Sequence, residues 1–254
     1  MALLETQKLT KTFIGLKAVT NMDLSVNKGQ ILGLIGPNGA CKTTLFNLIS
    51  GALPPTSGKV IYKYKDITGF KPHILARLGI VRTFQLATVF QDLSVLDNIQ
   101  VALHYKSGVG FLQTLFETPA MERKQNALVR EKAMKLLNIA GLTNIADTRA
   151  GNLPGGSQKL MSVIIALAVD PELLLLDEPM SGLNAEEIQT LIRLVKTIRD
   201  ERGTGIIMVE HNMKVVMDHC EYIVVINFGQ KIAEGTPAQI ASDKRVIEAY
   251  LGSE

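Results

Sequence analysis

The feature that most limits what this chain can fold into is Gly36-Pro37-Asn38-Gly39-Ala40-Cys41-Lys42-Thr43-Thr44, set between the apolar run Gln30–Ile35 and the apolar Leu45–Ile49. Glycines let the backbone turn sharply and leave its N–H groups uncovered. A strand that feeds such a turn and then opens a helix makes an anion cradle, because the loop N–H groups and the helix N-terminus converge. Lys42 would add a point charge for the outer phosphates, and Thr43, with Thr44 beside it, a hydroxyl for Mg²⁺. Glycine usually stands directly before the lysine. Here Cys41 holds that place, and a Cβ on a tightly bent backbone costs roughly 1–3 kcal/mol in strain. A plain strand–helix turn is the alternative, and the apolar strand and the Lys-Thr-Thr run weigh against it.

A second apolar run, Leu173-Leu174-Leu175-Leu176, ends in Asp177-Glu178-Pro179, about 135 residues after the lysine. Ligands bind at the carboxyl ends of strands in a parallel sheet. Asp177 there can hold Mg²⁺ directly or through water, and Glu178 can orient or deprotonate an attacking water. The short loop Ser181-Gly182-Leu183-Asn184 follows the acids. The next apolar run, Gly205–Val209, ends in Glu210-His211-Asn212. A histidine alone is more often a surface residue. One element beyond the acids, His211 is placed to bond a γ-phosphate.

The two motifs order the rest of the chain. Leu3–Phe13, Ala18–Val26 and Gln30–Ile35 read as strands, with a turn at Asn27-Lys28-Gly29. Pro54–Gly58 reads as a turn before strand Lys59–Tyr62. From about Val95 to Leu142 the pattern is helical and amphipathic, with Leu128, Ala133, Leu136 and Leu137 alternating with Arg130, Glu131, Lys132 and Lys135. The last third reads as strand Leu173–Leu176, helix Glu186–Arg199 capped by Asn184, strand Gly205–Val209, helix Met213–Met217, strand Tyr222–Ile226, strand Lys231–Glu234 and helix Val246–Leu251. Strands alternating with helices imply an α/β fold with a mainly parallel sheet. The expected division is a nucleotide-binding core, 1–94 and 170–254, and an inserted helical lobe, 95–169.

Composition excludes several classes. The apolar stretches Leu160–Val169 and Leu173–Leu176 are separated by Asp170, Pro171 and Glu172, too short for the roughly 20 residues of a membrane helix. They explain the mean hydropathy of +0.19 as buried strands and helices. Two cysteines make no disulfide framework, and the start MALLETQKLTKTF is expected to carry no secretory leader, so a reducing cytosol fits. A net charge of +3 with no tryptophan argues against a nucleic-acid partner.

These residues together resemble the ATP-binding subunits of ABC transporters over the whole chain. The resemblance implies a P-loop NTPase core with an antiparallel β portion and a helical lobe, and the cofactors ATP and Mg²⁺. By the same resemblance Arg82-Thr83-Phe84-Gln85 matches the family's glutamine loop, so Gln85 would contact Mg²⁺ and the attacking water. Phe13 matches the aromatic that stacks on adenine. Asp177, Glu178 and His211 match the Mg²⁺ ligand, the general base and the γ-phosphate switch, and Ser181–Asn184 the D-loop. The stretches RTFQLATVFQDLSVLDNIQVALH, VEHNMKVVMDHCEYIVVINFGQKIAEGTPAQI and VIEAYLG are similar to branched-chain amino acid importers, most of all to the larger of their two ATPase subunits. Urea importers and lipopolysaccharide-export ATPases share much of the pattern, the latter largely without Ser107–Gln125. The implied partners are a second ATPase subunit, membrane permease subunits coupled through Leu86–Asn98, and indirectly a solute-binding protein. The implied location is the cytoplasmic face of the inner membrane.

The chain departs from the family where its signature loop, Leu-Ser-Gly-Gly-Gln, should stand. Leu153-Pro154-Gly155-Gly156-Ser157-Gln158-Lys159 keeps Gly155 and Gly156 for close approach to a nucleotide held by the opposite subunit. Pro154 in the serine's place removes a hydroxyl and an N–H. Ser162 and Ile165 stand where the following helix, Lys159–Val169, usually carries Glu and Arg. With Cys41, these departures lead to the expectation of weak ATP binding, and to a second reading of the chain as a subunit that transmits motion but barely hydrolyses.

Overall fold

The computed structural model describes residues 2–83, 89–107 and 119–251. These fall into two compact units. One comprises residues 1–83, 172–179 and 198–254, and the other 84–171 and 180–197.

The first unit holds two sheets. The larger has six strands in the order β10-β9-β3-β8-β7-β6. Its centre is β3 (Ile31–Ile35), β7 (Leu173–Asp177) and β8 (Gly205–Val209), and every residue of these strands is buried. Runs of four or five residues with no polar alternation, interrupted only by Asp177 at the end of β7, suit strands covered on both faces, which is why no period-2 pattern marks them. β3 pairs in parallel with β8 and with β9 (Tyr222–Asn227), β8 with β7, and β7 with β6 (Ile80–Arg82). β10 (Gln230–Gly235) closes one edge antiparallel to β9. The smaller sheet is antiparallel, in the order β2-β1-β4-β5, from β1 (Ala2–Phe13), β2 (Leu16–Asn27), β4 (Ser57–Tyr62) and β5 (Lys65–Asp66).

Gly33, in the middle of β3, permits close helix packing. A Cβ there would lie 2.9 Å from Val216 Cγ1 and 3.0 Å from Cys220 Sγ. Val216 belongs to the helix Met213–His219, whose first turn is capped by the Asn212 side chain accepting from the Val215 N–H. Phe46, Leu45 and Ile49 of the helix α1 (Lys42–Ile49) join the same core as Leu32, Leu34, Leu175 and Val209.

The second unit is helical. α3 (Val95–Ser107), α4 (Pro119–Ile139) and α5 (Gly155–Ala168) lie in it, with 3₁₀ turns at Thr143–Ile145 and Ala150–Asn152. α6 (Ala185–Arg202) begins there. Asn184 caps α6 as expected, its Oδ1 accepting from the N–H groups of Glu186 and Glu187 at 3.0 Å. Glu187 returns the bond, accepting the Asn184 N–H at 2.9 Å.

The expected elements occur with longer bounds at most ends. α1 starts at Lys42 rather than Leu45, because the polar Lys-Thr-Thr run already forms the first turn. Four short pieces lay outside the expectation: β5, α2 (Pro72–Arg77), β6 and the helix Pro237–Ser242. Among the described residues, no helix is long and apolar enough to cross a membrane.

Candidate functional site

Strand order brings the sequence motifs to one edge. β3, β8 and β7 are neighbours and run in the same direction, so Gly36, Glu210-His211 and Asp177-Glu178 leave the carboxyl ends of adjacent strands. β6 beyond them ends in Arg82.

The loop after β3 is closely packed at its start. Gly36 is there because a Cβ would stand 2.1 Å from the Ile226 carbonyl oxygen. The loop's far end is bonded to the β9–β10 turn, where the Gly229 N–H donates to the Ala40 carbonyl at 3.2 Å. Pro37 is half-buried, while Asn38 and Gly39 are exposed. Cys41 occupies the residue before the helix with φ 67, in the left-handed region. That conformation is routine for glycine and strained for any residue with a Cβ. The glycine expected before the lysine thus has a backbone reason in this chain. Cys41 packs partly against the core, and its thiol lies 3.5 Å from the Gly39 carbonyl.

Lys42 opens α1 and is only 6% exposed. Its ammonium donates to the carbonyls of Gly36 at 2.7 Å and Pro37 at 3.0 Å, folding back over the loop. Burial pulls its pKa below the ordinary lysine value, and the Glu178 carboxylate acts in the opposite direction. Thr43 is exposed and Thr44 half-buried.

At the end of β7, Asp177 is 3% exposed. Its Oδ2 accepts from Arg82 Nη2 at 2.7 Å, and its buried Oδ1 has no hydrogen-bond partner. Glu178 follows with φ 47, its N–H donating to the Val209 carbonyl at 2.9 Å. That strained backbone turns the carboxylate toward the end of β8, where Glu178 Oε1 lies 2.8 Å from His211 Nε2. The structure therefore brings together the loop, Lys42, Asp177, Glu178 and His211.

Other expected residues lie elsewhere. Phe13 ends β1 in the antiparallel sheet, 42% exposed, with the Lys11 ammonium 5.2 Å from its ring centroid. Gly155 and Gly156 begin α5 in the helical unit, after Pro154 with φ −53. Gly156 leaves room for a neighbour, since a Cβ would sit 2.0 Å from Glu187 Oε1. Pro154 gives α5 no side-chain cap. Gln85 lies outside the described residues.

Two neighbours of the site went unread in the sequence. By resemblance Arg82 only opens the glutamine loop. A basic residue closing a strand beside the acidic strand was the available signal. Tyr250, in the helix Lys244–Leu251, takes a hydrogen bond from the backbone N–H of Gly36, which partly offsets the rise in its pKa caused by burial. Nothing in the sequence around Tyr250 pointed to that contact.

A mainly parallel sheet whose carboxyl edge carries a phosphate-type loop and an acidic strand end is the architecture of a P-loop nucleoside triphosphatase. Comparison with known proteins narrows this. The ABC transporter family model matches residues 19–181, and a model described as branched-chain amino acid ATP-binding cassette transporter matches residues 230–254. The high-affinity branched-chain amino acid transport ATP-binding protein BraF of Pseudomonas aeruginosa is 40% identical over 250 residues, 98% of each chain. Its Escherichia coli K12 counterpart LivG is 38% identical over the same shares. The solved ADP conformation of an ATP-binding cassette from an ABC transporter matches all of both chains at 32% identity with a TM-score of 0.82. The chain belongs to the ATP-binding cassette family of ABC transporters and is an ATP-hydrolysing subunit of that kind.

Proposed function

We propose that this chain powers a membrane importer for branched-chain amino acids, working on Mg-ATP from the cytoplasmic face of the membrane. The observation that carries the site assignment is the convergence of Lys42, Asp177, Glu178 and His211 on adjacent strand ends. The solute rests on the relatives BraF and LivG and on the match at residues 230–254.

The loop N–H groups from Asn38 to Thr43 would receive the β- and γ-phosphates, and Lys42 would leave the carbonyls of Gly36 and Pro37 to meet their charge. Lys42 is held over the loop by its bonds to these two carbonyls. Glu178 would accept a proton from the attacking water, and His211, 2.8 Å away, would hold that carboxylate and bond the γ-phosphate. Phe13, at the end of β1, would stack on adenine.

The residues present fit Mg²⁺. A buried carboxylate oxygen with no partner, Asp177 Oδ1, and the hydroxyl of the exposed Thr43 are hard oxygen donors of the number Mg²⁺ takes from protein, its other positions going to phosphate and water. Among the described residues no group of three or more His, Cys, Asp or Glu could hold a metal ion. When bound, the ion would neutralise charge on the transferred phosphate.

The working form would be a dimer with a second ATPase subunit, each nucleotide closed by the partner's signature loop, seated on two permease subunits that receive substrate from a solute-binding protein. Purified chain, alone and mixed with a partner subunit, is expected to hydrolyse Mg-ATP and to lose that activity in Glu178→Gln. Reconstitution with its permease is expected to give leucine uptake. Absent turnover in both forms overturns the ATPase assignment of these residues, and turnover without uptake overturns the solute.

A further inference from the structure

We infer that Arg82 is a positioning residue for the metal-binding carboxylate, tying Asp177 to the helix of the phosphate loop. This rests on the assignment of Asp177 to Mg²⁺. The side chain of Arg82 is 12% exposed and lies between three elements. Nη2 donates to Asp177 Oδ2 at 2.7 Å, at the end of β7. Nη1 donates to Asn47 Oδ1 at 2.6 Å and Ser50 Oγ at 3.1 Å, both at the far end of α1. The guanidinium carbon is 5.5 Å from the centroid of the Phe46 ring, also on α1. Arg82 itself closes β6, two residues before Phe84.

The guanidinium's planar fork lets it bond the carboxylate and α1 at once. One carboxylate oxygen is thereby occupied and the other left bare. Asp177 Oδ1 is buried and unpartnered, a costly state unless another donor or cation meets it. A carboxylate free to rotate would present either oxygen. One clamped by Arg82 presents only Oδ1. Because the same guanidinium grips Asn47 and Ser50, the position of α1, and so of Lys42 and Thr43 at its start, is fixed relative to the metal oxygen. Asn47 and Ser50 lie five and eight residues along the chain from Lys42, which makes the clamp a brace on the helix rather than part of the phosphate cradle.

The test is the gain in nucleotide affinity produced by Mg²⁺, read by titrating a fluorescent ATP analogue in Mg²⁺ and in EDTA. Partners that orient metal ligands are worth roughly 10–100-fold in metal affinity. Arg82→Met and Arg82→Lys are compared with wild type, melting curves checking the fold, and the lysine variant keeps a charge if the methionine variant fails to fold. Both variants are expected to lose about tenfold of the Mg²⁺-dependent gain, with affinity in EDTA unchanged within about twofold. Asn47→Ala is expected to lose part of it in the same direction. An equal fall with and without Mg²⁺ means a merely structural role and overturns the inference. So does an unchanged or enlarged Mg²⁺ gain, which would make Arg82 a bystander or a competing charge. A wild-type chain that binds the analogue without any Mg²⁺ gain overturns the assignment of Asp177 itself, and is distinguished by being seen before any variant.

Discussion

Replacing Cys41 with glycine tests whether the phosphate loop of this chain is strained at the residue before Lys42. Cys41 has φ 67. A left-handed conformation costs an L-residue about 1–2 kcal/mol, a cost glycine does not carry. Glycine also gains freedom in the unfolded chain, worth about 0.4–1 kcal/mol against it, and Cys41→Gly gives up the thiol's partial packing on the core. Set against wild type the net is therefore small, about 0.5 kcal/mol of stabilisation. Cys41→Ala is the better reference, because alanine keeps the Cβ and loses the thiol. Between the two variants the packing loss cancels, leaving strain relief less chain freedom, or about 0.5–1 kcal/mol in favour of glycine. For a chain of this size that is about 1–4 °C in melting temperature. Thermal melts of both variants, without nucleotide, give the difference directly. ATP affinity should rise with it, about tenfold at most, because the missing Cβ also lets the backbone approach the phosphates. If Cys41→Ala melts at or above Cys41→Gly, the left-handed backbone carries no strain and the reasoning fails.

Other outcomes follow from the same geometry. Glu178→Gln should cut turnover by about 10²–10⁴ while leaving ATP affinity within about threefold, and a parallel loss of affinity would deny Glu178 a role as base. Pro154→Ser restores a capping side chain at the start of α5, worth about 1 kcal/mol, and gives back about as much in unfolded-chain freedom. Its melting temperature should hardly change while turnover rises several-fold, and unchanged turnover would mean the signature position does not limit the cycle. Cys220 is buried, and burial, with Glu221 and Glu210 nearby, pushes its thiol up to about 12 from the ordinary 9.0. A thiol reagent should label Cys41 in the native protein and Cys220 only after unfolding. Because the folded thiol keeps its proton where the unfolded one loses it, stability should fall as pH rises from about 9 to about 12, by up to about 1.4 kcal/mol per pH unit. Cys220→Ala should make that slope shallower, most clearly between about pH 9 and 10, and an unchanged slope would assign it elsewhere.

What the sequence revealed, and what it withheld, follows from how each feature is encoded. β3, β7 and β8 were legible because strands buried on both faces must be apolar throughout, and the motifs were legible because each hangs on the end of one of them. The missed pieces are short. β5 and β6 have two and three residues, too few to show any period. Two short helices did carry readable signals: Lys71-Pro72 places proline in a first turn, and Thr236-Pro237-Ala238-Gln239 spells a capping box that the structure makes, with the Thr236 side chain accepting from the Gln239 N–H. Other features are written in no local pattern. Left-handed backbone at Cys41 was hinted at only by the absent glycine, and at Glu178, φ 47, by nothing.

Arg82 and Tyr250 lay hidden for a different reason. Their partners are 95 and 214 residues away along the chain, so only strand order and the C-terminal helix bring them to the site. Local sequence encodes the groups that would touch nucleotide, because those must sit at fixed spacing on one loop or one strand end. It does not encode the groups that hold those residues in place, which any element of the core can supply. The bare oxygen of Asp177 is the point where the two kinds meet. The acidic strand end was readable from Leu173 to Glu178, but which of its oxygens is left for a cation is decided by a guanidinium at the end of β6. Variants chosen from motifs alone would test the phosphate loop and the acids and leave that choice of oxygen untouched.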